Sequence, residues 1–261
     1  MPQLSRVTTI NNDLRVKKVS SALINISPAV VAGNTFVNFQ AIGGVLTVSS
    51  NGAYNLTPTN TFSANVMVWG AGGGSSTGNG GSGGFSTGLM TFFANVSYNV
   101  VVGRAGASGT GGGGSGIEYL ANANVIIVAG GGGGAGSGLG GAGGGLFAQN
   151  GAGANGGTAY SATSPGGLRF GGPAASVFGF GGGGGGTGGG GGGLYGGGAS
   201  AAGGGGGGAY LEDRILFVSN TQTGVNATPA FSIYSGRGTG GDGGVAPATP
   251  AGDGLIVITI L

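Results

Sequence analysis

Residues able to do chemistry are scarce in this chain. Of its 261 residues, 8 are Lys or Arg, 6 are Asp or Glu, and none is His or Cys. Without His and Cys there is no zinc site of the usual kind and no disulfide framework. Histidine general-base catalysis and a Ser-His-Asp triad are excluded for the same reason. Glu212 and Asp213 stand beside Arg214 just before an apolar run, which reads as a solvated turn. Asp242 and Asp253 each occupy a Gly-Asp-Gly turn, whereas calcium takes about six to eight oxygens. The run VIIVAGGGGGAG (125–136) offers a strand and glycines to a phosphate, but no helix-forming segment follows it and no Gly-Lys-Ser or Gly-Lys-Thr occurs. The expectation is a protein that is not an enzyme and that uses no metal and no cofactor.

The same scarcity bears on partners. A net charge of +2 makes no polyanion-binding surface, so nucleic acid is not an expected partner. The longest apolar runs, such as 125–129 and 255–258, fall far short of the roughly 20 residues of a membrane-spanning helix, and no membrane insertion is expected. The first twenty residues contain no apolar stretch of the kind a signal peptide carries.

Glycine, with 73 residues, is what the chain has instead. Only Gly33, Gly43, Gly44 and Gly52 precede Gly70. The reading is therefore of two regions, an N-terminal β attachment region (1–60) and a glycine-rich domain (61–261). In the first, 21–27, 35–39 and 45–49 alternate apolar and polar residues, and Asn51-Gly52 signals a turn. In the second, strands are expected at 64–69, 88–93, 97–102, 125–129, 215–218 and 255–261. Between 129 and 210 there is almost no strand or helix signature.

A structureless loop of that length is foreign to a compact domain. Collagen is excluded too, because runs such as 181–186 are glycine at every position. The physical alternative is a bundle of extended helices with three residues per turn and roughly 3.1 Å rise, which make no internal hydrogen bonds. Their N–H and C=O groups all need outside partners, and glycine alone lets backbones approach from every side. Alanine and serine interruptions are expected to mark outer faces or turns. Trp69, closing an apolar strand, is expected in the core.

The order of these pieces resembles a known family. VMVWGAGGG (66–74) runs a strand ending in tryptophan straight into Gly-Ala-Gly-Gly; GGSGGFSTGLM (80–90), SYNVVVGRAGASG (97–109), VIIVAGGGGGAG (125–136) and GDGLIVITIL (252–261) follow. This is similar to the glycine-rich domain of bacteriophage tail-fibre and adhesin proteins, an architecture shared by the extracellular glycine-rich domain of a receptor tyrosine kinase family. The likeness covers about residues 40–261. It implies an all-β fold, a jelly-roll-like β-sandwich with glycine-rich insertions packed as a polyproline-II or polyglycine-II bundle, mainly at 129–210. It also implies a virion structural protein at the particle surface, a tail-fibre or adhesin subunit that contacts the host. The alternative is a capsid decoration or fibre-attachment protein without receptor contact.

Large side chains in a glycine bundle must lie at its surface, its ends or against the sandwich. The receptor-contact candidates are Phe147, Gln149, Asn150 and Tyr160, then Arg169, Phe170, Phe178 and Tyr195. The competing reading is that these aromatics cap the bundle or pack on a neighbouring subunit. Candidates for docking on other virion proteins are Arg15, Lys17 and Lys18, with Phe36 and Phe39; the basic trio also reads as a solvated strand edge kept from aggregating by charge. Partners would be other virion proteins, a host surface polysaccharide or outer-membrane protein, and further copies of this chain, as in a trimer.

Overall fold

The computed structural model describes residues 24–25, 44–144, 147–156, 187–212, 216–224, 228–229, 234–241 and 250–261. Among them there is no helix. The strands are β1 (Ile24–Asn25), β2 (Val45–Val48), β3 (Gly52–Leu56), β4 (Phe62–Trp69), β5 (Phe85–Phe92) and β6 (Tyr98–Val102), then β7 (Ser115–Tyr119), β8 (Val125–Ala129), β9 (Tyr210–Leu211), β10 (Leu216–Gln222) and β11 (Leu255–Ile260). They form a six-stranded sheet in the order β1-β2-β11-β4-β5-β10 and a five-stranded sheet in the order β3-β6-β7-β8-β9. All pairings are antiparallel except that of β1 with β2. The chain is thus all-β, and its two sheets are consistent with a β-sandwich.

Alternation builds the core between the sheets. Ala64, Val66 and Val68 of β4 point to it, as do Met90 and Phe92, Ile256, Ile258 and Ile260, and from the other sheet Tyr98, Val100, Val102, Ile117 and Ile127. The opposite face of the six-stranded sheet carries its own cluster of Trp69, Phe85, Leu255 and Val257, so β11 is buried on both sides. Trp69 is core, as expected, with Phe85 at 4.7 Å and Tyr234 edge-on at 5.3 Å between ring centroids.

Several elements depart from the sequence expectation. The Asn51-Gly52 turn joins β2 to β3, yet β2 pairs with β11 and β3 with β6, so this turn crosses between sheets. Strand β5 starts at Phe85, where its pairing with Trp69 begins, rather than at Gly88. Strand β10 reaches Gln222, paired with Phe85. Strands β7 and β9 carry no strand signature in the sequence; β7 is fixed by β6 and β8 on its two sides.

The strand ends that open into the long glycine-rich segments lie at one end of the sandwich. Residues 70, 103 and 130 follow the last residues of β4, β6 and β8, while 84, 114, 209 and 254 precede the first of β5, β7, β9 and β11. From there the chain shuttles outward and back, and the backbone hydrogen bonds keep a step of three. Gly70 and Gly73 donate to Gly84 and Gly81 at 3.0 and 2.8 Å, Ala71 and Gly74 donate to Gly113 and Thr110 at 3.0 and 2.8 Å, and Gly72 donates to Gly252 at 2.9 Å. Three consecutive residues therefore address three different neighbours.

Segment 130–136 is enclosed. Gly131 and Gly134 donate to Gly192 and Gly189, Gly132 and Ala135 to Ala71 and Gly74, and Gly133 to Gly141. Its carbonyls accept from Gly84 and Gly81, from Gly207 and Gly204, and from Gly112. Side chains have no place there. A methyl group on Gly132 would run into the Gly81 carbonyl, and one on Gly133 into that of Gly204.

One expectation is corrected here. Ala71, Ser82, Ala135 and Ala142 lie fully buried inside this lattice, not on outer faces or at turns. The packing admits one or two heavy atoms at those positions, so glycine is required position by position. Ser137, Ala152, Ser200 and Ala201 do occupy turns or exposed edges.

Candidate functional site

The hydrogen-bond register sorts the lattice surface into a far end, a flank and a sandwich end. The far end is formed by the turns near 75–79, 106–109, 136–139, 152–154, 187–188 and 199–202, where outbound and inbound segments meet. Its side chains are small and uncharged, Ser75, Thr77, Ser108, Ser137 and Ala201 among them, and Leu139 is its one exposed large apolar residue among those described. Thr77 is tied down by its hydroxyl, which donates to the Gly136 carbonyl at 2.7 Å.

Four of the receptor-contact candidates, Phe147, Gln149, Asn150 and Tyr195, fall on the flank or near the sandwich. Segment 147–156 runs along 139–142, with Gln149 donating to the Ala142 carbonyl at 2.8 Å and Ala152 to that of Leu139 at 2.9 Å. Phe147 stands at its sandwich end, where the Thr223 hydroxyl donates to the carbonyls of Gly144 at 2.9 Å and Phe147 at 3.3 Å. The ring is 70 % exposed. Gln149 and Asn150 follow, both exposed. Tyr195 is elsewhere: its carbonyl accepts from Gly208 at 2.8 Å, two residues before β9, and its side chain is half-buried. Tyr160, Arg169, Phe170 and Phe178 lie outside the described residues, as do Arg15, Lys17, Lys18, Phe36 and Phe39.

The opposite end of the sandwich, its base, has a different surface. Phe93 is 47 % exposed, Leu120 46 % and Leu261 64 %. All three sit on base loops or strand ends: Leu120 donates to the Ser97 carbonyl and Leu261 to that of Ser63. Below this rim an aromatic ladder of Phe62, Phe92, Tyr98 and Tyr119 closes the core, with successive centroids 5.0, 5.0 and 5.4 Å apart. Gly44, whose carbonyl accepts from Ile260, lies at this same end. Sequence reading missed the base residues, since isolated Phe and Leu beside strands look like core.

The carboxylates serve the scaffold. Asp253 accepts from the Asn51 side chain at 3.0 Å and from the Ala105 N–H at 2.7 Å, clipping the start of β11 to the β2–β3 turn. Glu118 accepts from Asn99 at 2.8 Å, and Glu212 from the Tyr210 hydroxyl at 3.0 Å. Glu212 is half-buried, whereas Asp213, Arg214 and Asp242 lie outside the described residues. No group of three or more metal-ligating side chains occurs among the described residues. Burial pushes the phenols of Tyr98, Tyr54 and Tyr119 above their ordinary value; Asp253 adds to this at Tyr54 and Glu212 at Tyr119, while the Phe93 N–H donated to Tyr98 works the other way.

Among the described residues no helix is long and apolar enough to cross a membrane. No protein-family model matches the chain, and no characterised protein sequence matches it. What the geometry defines is an all-β, two-sheet scaffold that carries a glycine-rich, backbone-bonded body on one end.

Proposed function

We propose that the glycine segments are polyglycine-II rods packed side by side on a jelly-roll-like sandwich, and that the chain is a bacteriophage tail-fibre or adhesin subunit on the virion surface. The observation that carries the rod reading is the step of three in the hydrogen bonds around 130–136, with donors to three neighbours and acceptors from three others. That is the pattern of a three-residue helix surrounded by its own kind. Such a body is stiff without a large apolar core and, among the described residues, has no charge at its far end to bind ions or polyanions indiscriminately.

The polarity of the molecule supports the functional reading. The base exposes Phe93, Leu120 and Leu261, so it suits docking on other virion proteins, as apolar clusters commonly mark interfaces. The lattice points away from it and would meet the host.

Immunogold labelling of intact virions with antibody against this chain tests the reading. Gold at fibre ends or the tail tip is the expected result. Gold spread over the capsid would turn the function into shell decoration, and the absence of gold from virions would overturn the phage reading altogether.

A further inference from the structure

Gln149 and Asn150 are exposed amides, yet neither is free to turn. The Ala142 N–H donates to Oε1 of Gln149 at 3.2 Å, and the Gly156 N–H donates to Oδ1 of Asn150 at 2.9 Å. A carboxamide held through its oxygen by a backbone donor must present its NH2 on the other side. Among the described residues neither Nε2 of Gln149 nor Nδ2 of Asn150 makes a hydrogen bond. The lattice thus pins both exposed amides through their oxygens, and Phe147, 70 % exposed, stands within about 10 Å of chain from both.

The chemistry of this flank is narrow. Each side-chain amide offers its NH2 as a donor and the second lone pair of its oxygen as an acceptor, the first being taken by the backbone N–H. It offers an aromatic face, which takes C–H groups and methyls. It has no charge: residues 147–156 and the segments bonded to them, 139–142 and 203–206, contain no Asp, Glu, Lys or Arg. A carboxylate or phosphate would find no cation on these segments. An acetamido group matches both features, its carbonyl accepting from an amide NH2 while its methyl or the neighbouring sugar ring lies on the phenyl.

We propose that Phe147, Gln149 and Asn150 form a binding site for neutral glycans bearing acetamido groups. The proposal rests on the reading of the chain as a host-contacting protein and names the class of surface molecule this flank would take. The site lies on the side of the lattice near the sandwich, not on the far-end turns.

The test titrates the full chain with chitotriose, the trimer of N-acetylglucosamine, and with maltotriose, a neutral trimer without acetamido groups, following the side-chain amide resonances of Gln149 and Asn150. Expected are saturable shifts of those resonances with chitotriose, an affinity independent of salt, and at least about tenfold weaker binding of maltotriose, a preference worth about 1.4 kcal/mol. Asn150→Asp and Gln149→Glu keep the oxygen that the lattice uses and remove the donor, so each should lose binding while the protein stays folded. Phe147→Ala should weaken binding with the amide positions undisturbed. Equal affinity for the two sugars, no shift with chitotriose, or unaltered binding by the three variants would overturn the site. If chitotriose fails while gold still marks the fibre ends, the host-contact reading stands and its contact surface lies elsewhere on the chain.

Discussion

The sandwich and the glycine lattice solve the same packing problem by opposite means. In the sandwich the backbone is satisfied within each sheet, by neighbours on two sides only, and side chains fill the space between the layers. Ile256, Ile258, Val66 and Val68 do this work. In the lattice the backbone bonds in all directions around 130–136, and the absence of side chains is what permits it. Burial of apolar area stabilises the first half. The second must offset the large entropy loss of ordering glycine with hydrogen bonds that are nearly all backbone to backbone. Tolerance to substitution should therefore run in opposite senses, with truncation damaging one half and extension damaging the other.

The largest effect is expected at the junction. Trp69 ends β4 and faces Phe85, Tyr234 and Leu255 where the lattice begins. Trp69→Ala should cost about 3–5 kcal/mol, read as a lowered midpoint in denaturant unfolding followed by circular dichroism. In the lattice, Gly132→Ala adds one methyl where the Gly81 carbonyl stands and should cost about 3 kcal/mol. An equal-sized addition in the sandwich core would be accommodated more easily, because side chains there can shift. If Gly132→Ala leaves the unfolding midpoint unchanged, the enclosed arrangement around 130–136 is wrong.

Asp253 links the two halves through Asn51 and Ala105. Asp253→Ala should cost about 1–2 kcal/mol, and the Trp69 fluorescence should report loosening at the joint. Alkali should act on the sandwich first. The phenols of Tyr98, Tyr54 and Tyr119 are raised in the folded state by burial. Each then holds its proton more tightly folded than unfolded, so the stability they contribute is full below about pH 10 and is lost as pH rises through the folded values. A pH series of unfolding midpoints should be flat on this account until about pH 10 and fall above it. The smallest effect is at Gly236. No atom would meet a methyl there, and only its φ of +74° opposes one, so Gly236→Ala should cost about 1 kcal/mol.

How much of this was legible depended on which atoms carry the structure. Strands β2 and β4 could be read from alternating apolar side chains, and β8 and β11 from short unbroken apolar runs. Strand β7 could not, since four glycines precede it and Gly116 lies within it; its place comes from β6 and β8. The step of three leaves no mark in a run of glycines, and nothing in the sequence separates Ala71, Ser82, Ala135 and Ala142, which are buried, from the alanines and serines at the turns. Phe147, Gln149 and Asn150 were legible as candidates by composition alone. The orientation of their amides was not, because it depends on the N–H groups of Ala142 and Gly156, one of them seven residues away and on another segment.

The most direct measurement of the central claim is amide hydrogen exchange, resolved by residue on glycine-labelled protein. The account predicts that Gly131, Gly132, Gly133 and Gly134 are protected as strongly as the amides of β4 and β11. Exchange of these glycines at the rate of exposed loops, with the sandwich still protected, would contradict it.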